Sequence, residues 1–139
     1  MALSVTSGKI LALDVGSVRI GLALADMRAR LPVPAGAVVR DEKVVESIRE
    51  FCEREEVARL VIGLPRNMQG QDTAQTEAVR TFGAVLQEEL SLPVSWQDEA
   101  VTSVRAEEEL RARGRPYAKE DIDALAATYI LEDYLHEYV

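Results

Sequence analysis

Two apolar runs, Ile10–Val15 and Ile20–Ala25, flank a short break made of Gly16, Ser17, Val18 and Arg19. Short apolar runs around a glycine-containing break predict two strands of a hairpin, about Lys9–Val15 and Arg19–Asp26. Residues 1–8 read as a loose lead-in, and Arg28 and Arg30 fall in a turn. Leu31–Val39 carries Pro32, Pro34 and Gly36, the marks of an irregular edge strand. Helical spacing then takes over: Val44, Val45, Ile48, Phe51 and Cys52 share a face, with Asp41 as the expected cap.

Ala58–Leu64 is a continuous apolar run, as a strand buried on both faces should be, and Pro65 ends it. The polar loop Arg66–Gln71 follows. Asp72 and Gln75 form an expected capping pair for a second helix, with Val79, Phe82, Val85, Leu86 and Leu90 on its buried side. Pro93–Gln97 reads as a brief strand leading into Asp98 and Glu99. Thr102 or Ser103 caps a third helix holding Val104 and Leu110. Arg111–Lys119 is a basic loop broken by Gly114 and Pro116, and a last helix runs from about Glu120 to Tyr138. The order is three strands, helix, strand, helix, strand, helix, helix. Early hairpins imply antiparallel pairing; later strand–helix–strand units imply parallel pairing with helices on both faces. The expected architecture is an α/β fold with a mixed five-stranded sheet, covering residues 1–139 as one domain.

Composition changes this picture little. The 139 residues are 47% hydrophobic and 29% charged, ordinary for a globular protein. No apolar run is long enough to span a membrane and the N-terminus lacks a signal-peptide block, so a cytoplasmic location is expected. Cys52 is the only cysteine and lies on the apolar face of its helix, which reads as a small buried hydrophobe. His136 is the only histidine and sits among charges near the C-terminus, which disfavours a Ser-His-Asp triad or an imidazole-rich zinc site. The formal net charge of −8 argues against nonspecific nucleic-acid binding and suits a protein that collects Mg²⁺ or Mn²⁺.

Three acidic positions stand out. Asp14 ends the first strand, Asp98 and Glu99 end the last, and Asp123 lies in the first turns of the closing helix, followed by the small residues Ala124, Ala126 and Ala127. Ligands of doubly covered sheets gather at the C-terminal ends of parallel strands. If the first strand runs parallel to the later ones, Asp14 and Glu99 meet there and Asp123 is the third carboxylate. An all-oxygen set of this kind suits Mg²⁺ or Mn²⁺, and two such ions roughly 3.5–4 Å apart activate water against a phosphodiester. Each residue also has a plain alternative: a hairpin turn for Asp14 with Gly16, a turn or cap for Asp98, a helix-start acid for Asp123.

Four blocks in order carry a resemblance across nearly the whole chain: LALDVGSVRIGLALAD, VIGLPRNMQGQ, QDEAVTS and DIDALAATYILEDYL. Together they resemble the YqgF (RuvX) family of ribonuclease H-like nucleases. The resemblance implies a ribonuclease H-like fold and a divalent-metal nuclease, with Asp14, Glu99 and Asp123 matching the family's acidic metal ligands. It also implies a nucleic-acid substrate, either the 5′ end of the small-subunit ribosomal RNA precursor or branched DNA, cut to leave a 5′-phosphate and a 3′-hydroxyl. A junction substrate would require a homodimer. The family usually has Asp-Glu-Arg where this chain has Asp98-Glu99-Ala100.

Candidate phosphate contacts are Arg19, Arg66, Arg111, Arg113, Arg115 and Lys119, with Asn67 and Gln69 for sugar or phosphate and Tyr117 for a base. The plain reading is solvated arginines, a self-closing loop and a packed tyrosine. Two other functions compete. Asp-x-Gly after a strand also resembles the phosphate loop of actin-like sugar kinases, but those enzymes close two such domains around the nucleotide and this chain has room for one. A nucleic-acid or ribosome-assembly binding module without catalysis fits Ala100 and the net acidity, against the presence of all three carboxylates.

Overall fold

The computed structural model describes residues 8–99 and 102–137; the lead-in residues 1–7, Ala100 and Tyr138 lie outside the described residues. The elements are β1 (Lys9–Val15), β2 (Arg19–Asp26), β3 (Val33–Val39), α1 (Val44–Glu55), β4 (Val57–Pro65), α2 (Ala74–Leu90), β5 (Val94–Glu99), α3 (Thr102–Arg113) and α4 (Lys119–Glu137). They form one mixed sheet in the order β3-β2-β1-β4-β5. β1 pairs antiparallel with β2 and β2 with β3, whereas β1–β4 and β4–β5 are parallel. The hairpin closes where the Gly16 amide donates to the Arg19 carbonyl at 2.9 Å. β3 is the edge strand that its prolines require. Its pairing with β2 shifts register between Gly21 and Ala23, opposite Gly36 at φ +85°.

Period-two alternation sorts the strands onto two faces. Leu11, Leu13, Ile20, Leu22, Leu60, Ile62 and Leu64 face α1 and α2, where Ile48, Val79 and Leu86 complete the larger core. Ile10, Ala12, Ala23, Ala25 and Val61 face α4 and meet Ala127, Ile130, Leu131 and Leu135. α3 covers the outside of α4 through Ala106 and Leu110 against Leu125, Ala126 and Tyr129. The residues from Ala124 to Leu131 are therefore all buried, with the sheet on one side and α3 on the other.

Helix boundaries are where the pattern misleads. The α1 cap position is Lys43, without a side-chain cap; Asp41, two residues before it, instead accepts from the Lys43 amide at 2.9 Å. α2 is capped by a reciprocal Thr73–Thr76 box rather than by Asp72 and Gln75. The Asp72 carboxylate is drawn away to Arg80, at 2.5 Å. The buried stripe of α2 is Thr76, Val79, Gly83 and Leu86, and Val85 is exposed. Gly83 sits so close to the Trp96 ring that a Cβ would lie 2.3 Å from it, and this approach rotates the helix away from Val85. The cap expected from Thr102 or Ser103 rests on side chains outside those described. Arg111 and Arg113 belong to the last turn of α3, so the loop before α4 is shorter than the basic run suggests. Cys52 is buried, which pushes its thiol up to about 11 and leaves it unreactive.

Candidate active site

Parallel pairing brings the C-terminal ends of β1, β4 and β5 to one edge of the sheet. Asp14 is the next-to-last residue of β1 and lies directly across from Gly21 of β2. It shares a sheet face with Ile10 and Ala12, the face that α4 covers. Glu99 ends β5 on the same face as Ser95 and Gln97, which bond to Tyr134 and Glu137 of α4. Asp98 falls on the other face and is exposed, beside Arg66 at 3.5 Å. Alternation alone thus selects Glu99 over Asp98.

Glycines make the room. A Cβ on Gly21 would lie 2.0 Å from the Asp123 carbonyl oxygen and 2.9 Å from the Asp123 Cβ. The first turns of α4 therefore rest directly on the β2 backbone. A Cβ on Gly63 would lie 2.6 Å from Glu99 Oε2 and 2.6 Å from Ile130 Cδ1. Gly63 follows Ile62, the last β4 residue paired with β1, so it flanks Asp14 on the side opposite Gly21. Asp14 stands between two glycines, one under Asp123 and one under Glu99.

The electrostatics follow from this crowding. Burial, and then the charge of Asp123, push the Asp14 carboxyl up to about 6. Asp123 is itself compensated: Arg19 Nε donates to its Oδ2 at 2.5 Å, with both side chains about four-fifths buried. Arg19 lies two residues before Gly21 and so reaches up from the same face. Among the described residues no three acidic, histidine or cysteine side chains stand close enough, as they lie, to hold a metal ion. The chemistry of the donors nonetheless fits one. A crowded pair of carboxylates, one of them buried and hard to ionise, is what an oxygen-preferring divalent cation neutralises.

The remaining candidates divide into paired and unpaired groups. Arg66 lies between Asp72 at 3.3 Å and Asp98 at 3.5 Å. Arg111 and Arg113 pair along α3 with Glu107 and Glu109, one turn back. Arg115 and Lys119 are exposed and make no ion pair with a described residue. Lys119 is four residues before Asp123 and shares its helix face. The Asn67 amide is occupied within its own loop, accepting from the Gln69 and Gln71 amides and donating to Gln71 Oε1. Gln69 is exposed in that loop, and Tyr117 is half-buried against the α3–α4 cluster.

Sequence reasoning missed the two glycines and Arg40. The Arg40 guanidinium donates to the Gly16 carbonyl at 3.0 Å and stacks 4.7 Å above the Phe82 ring, bracing the hairpin that carries Asp14. A signal for the glycines was present: each interrupts a strand, where glycine marks a close approach of another backbone or ligand.

A family model described as "RuvX: Holliday junction resolvase" matches residues 8–137. A Chloroflexus aurantiacus protein named "Putative pre-16S rRNA nuclease" is 42% identical over 130 residues, covering 91% of this chain and 85% of its own. A protein of the same name from Koribacter versatilis is 38% identical over 136 residues, covering 95% and 89%. Among solved structures, Thermus thermophilus RuvC in complex with a Holliday junction substrate superimposes with a TM-score of 0.59 at 15% identity, over 94% of this chain and 95% of that one. A second Thermus thermophilus RuvC structure gives 0.56 at 13% identity, with the same coverage. The fold is thus the ribonuclease H-like one expected above, with its mixed five-stranded sheet and helices on both faces.

Proposed function

Because the chain belongs to the RuvX family, we propose that it is a divalent-metal-dependent nuclease that hydrolyses phosphodiester bonds and processes the 5′ end of the 16S rRNA precursor. The observation that carries this reading is the meeting of two strand ends and one helix start. Asp14, Glu99 and Asp123 share one face at one edge of the sheet, beside glycines that let Asp123 and Glu99 close onto the backbone. The relatives named for pre-16S rRNA processing support the choice of substrate.

In this reading Asp14, Glu99 and Asp123 hold Mg²⁺ or Mn²⁺, a pair of ions in the full site. Such ions supply an activated water and stabilise the charge that develops on the scissile phosphate. The protein's own residues do the rest. The buried backbone around Gly21 and Gly63 fixes the spacing of the carboxylates. Arg19 orients Asp123. Lys119 and Arg115, exposed at the start of α4, meet phosphate oxygens and offset the net acidity where the substrate lies. Arg66 and Asn67 shape the neighbouring loop, while Arg111 and Arg113 extend the basic surface along α3. No helix among the described residues is long and apolar enough to cross a membrane, and an rRNA precursor as substrate puts the action in the cytoplasm.

A second reading is resolution of Holliday junctions, supported by the family description and the fold shared with RuvC. It demands a homodimer, because a junction is cut on two strands.

The test offers labelled precursor rRNA, single-stranded RNA and a four-way DNA junction, each with Mn²⁺, Mg²⁺ or EDTA. Cleavage is expected with metal, absent in EDTA, and reduced at least about 100-fold in Asp14→Asn. An Asp14→Asn protein that cuts like wild type overturns the site. A preference for the junction, from a dimer, selects the second reading.

A further inference from the structure

Met68 is 95% exposed, more than any other large hydrophobic side chain among the described residues. It does not sit on a loose segment. It follows Asn67 in a tight turn closed by the Gly70 amide donating to the Asn67 carbonyl at 2.9 Å, with Gly70 at φ +75°. The Asn67 amide donates to the Gln71 carbonyl at 3.1 Å, and the Asn67 side chain accepts from Gln69 at 3.0 Å and Gln71 at 2.9 Å. Beneath the turn, the buried Thr76 hydroxyl donates to the Pro65 carbonyl and ties the start of α2 to the end of β4. Asparagine closes a short turn in this way by standing in for backbone. The consequence is a rigid turn with an apolar thioether at its tip and nothing against it.

The turn also has an address. Pro65 pairs directly with Glu99 across β4 and β5. Met68 is three residues further on, so its Cα is within about 11 Å of Pro65 along the chain. Arg66 lies against Asp98, the neighbour of Glu99, and draws the loop toward the same edge. The tip therefore stands at the same edge of the sheet as the carboxylates, on the loop that leaves β4 between β1 and β5.

We infer that Met68 is a pre-organised wedge that meets a nucleobase next to the scissile phosphate, and so helps to choose the site of cleavage. The inference rests on the nuclease reading above. A protein partner would need a broad apolar patch, whereas the neighbours of Met68 are Asn67, Gln69 and Gln71, all polar and uncharged. An isolated apolar tip among amide side chains suits a base, which offers a flat apolar face and a hydrogen-bonding edge. Methionine is among the side chains that part stacked bases, and its sulfur packs well on an aromatic face.

The experiment is peroxide footprinting of the Asp14→Asn protein, free and saturated with either the precursor rRNA fragment or the four-way junction. Peroxide transfers one oxygen atom to the Met68 sulfur and leaves water, and mass spectrometry counts the sulfoxide. Half-buried Met27 is the internal reference. Binding is expected to slow oxidation of Met68 about fivefold or more and leave Met27 unchanged, since the rate follows exposure. In the wild-type background, Met68→Ala is expected to lower kcat/KM about tenfold at unchanged melting temperature, and Met68→Leu to restore it. If nucleic acid binds and is cut but Met68 oxidises as fast as in the free protein, or Met68→Ala cuts like wild type, the wedge is overturned while the nuclease stands; the tip is then left to a protein partner. If no nucleic acid is bound or cut, both fall.

Discussion

The two faces of the sheet are built from different residues. On the α1/α2 face the strands offer Leu11, Leu13, Ile20, Leu22, Leu60 and Ile62, large side chains that hold the helices a full layer away. On the α4 face the same strands offer Ala12, Gly21, Ala23, Ala25 and Gly63 beside only Ile10 and Val61, and α4 replies with Ala127, Ile130, Leu131 and Leu135. Side chains set the distance on the first face, and at Gly21 on the second face backbone sets it. A branched core tolerates small adjustments, because side chains can repack. Backbone against backbone cannot adjust, so α4 is held at one height over β2 and its Asp123 is held with it. The first face supplies much of the burial that keeps the sheet folded, and the second uses that rigidity to fix Asp123 over β2.

The sharpest way to break the contrast is Gly21→Ala. A single methyl has no room on the α4 face, where it meets the Asp123 carbonyl. Cleavage is expected to fall about 100-fold, as for a displacement of about 1 Å in an active site. Stability should drop by about 3 kcal/mol, the upper range for overpacking. Rate assays alongside chemical denaturation check both; a Gly21→Ala enzyme with normal activity would show that α4 can ride upward without harm.

A truncation on the opposite face should separate stability from chemistry. Leu13 is fully buried among α1/α2 partners, one residue before Asp14. Leu13→Ala is expected to cost about 3 kcal/mol through lost burial and a cavity. Well below its melting temperature, its cleavage rate should stay within about threefold of wild type. A loss as large as that of Gly21→Ala would mean that the two faces do not act separately.

The last effect, read in EDTA on stability alone, has the opposite sign. The folded protein raises the Asp14 carboxyl to about 6, above its ordinary value of 3.8. Between those values the folded state holds a proton that the unfolded state has released, so stability falls as pH rises through this window. Asp14→Asn removes the penalty. In EDTA, thermal melts should show the variant more stable by about 3 kcal/mol well above pH 6, with the gain fading toward pH 4. A buried acid would then weaken the fold in the absence of metal, and a variant less stable than wild type at pH 7 would overturn that account.

Much of this protein is legible in its sequence. β1 and β2 have the limits that the apolar runs imply, β4 extends the expected run by one residue at each end, and prolines put β3 at the edge. These are period and composition signals, local by nature. The four motif blocks also carry the family, and with it the choice of Asp14, Glu99 and Asp123. Caps were harder, because Asp41, Asp72 and Thr73 are all competent and the choice turned on where Arg80 draws Asp72. Arg111–Lys119 read as one basic loop, yet α3 runs on to Arg113 and turns Arg111 and Arg113 to their own glutamates, which leaves Arg115 and Lys119 to solvent.

What only tertiary structure decided is distance. Residues 14, 99 and 123 come to one edge and one face of the sheet because β1 and β5 run parallel through β4 and because α4 descends onto Gly21. A glycine in a strand announces that something approaches; only the packed helix says that it is the turn bearing Asp123. Arg19 likewise reads in the sequence as a candidate phosphate contact, and only the fold sets it at 2.5 Å from Asp123. Sequence specifies which side chains share a strand face, since alternation is a property of the backbone. Which backbones then meet depends on the summed volumes of every residue between them, and no single position encodes that sum.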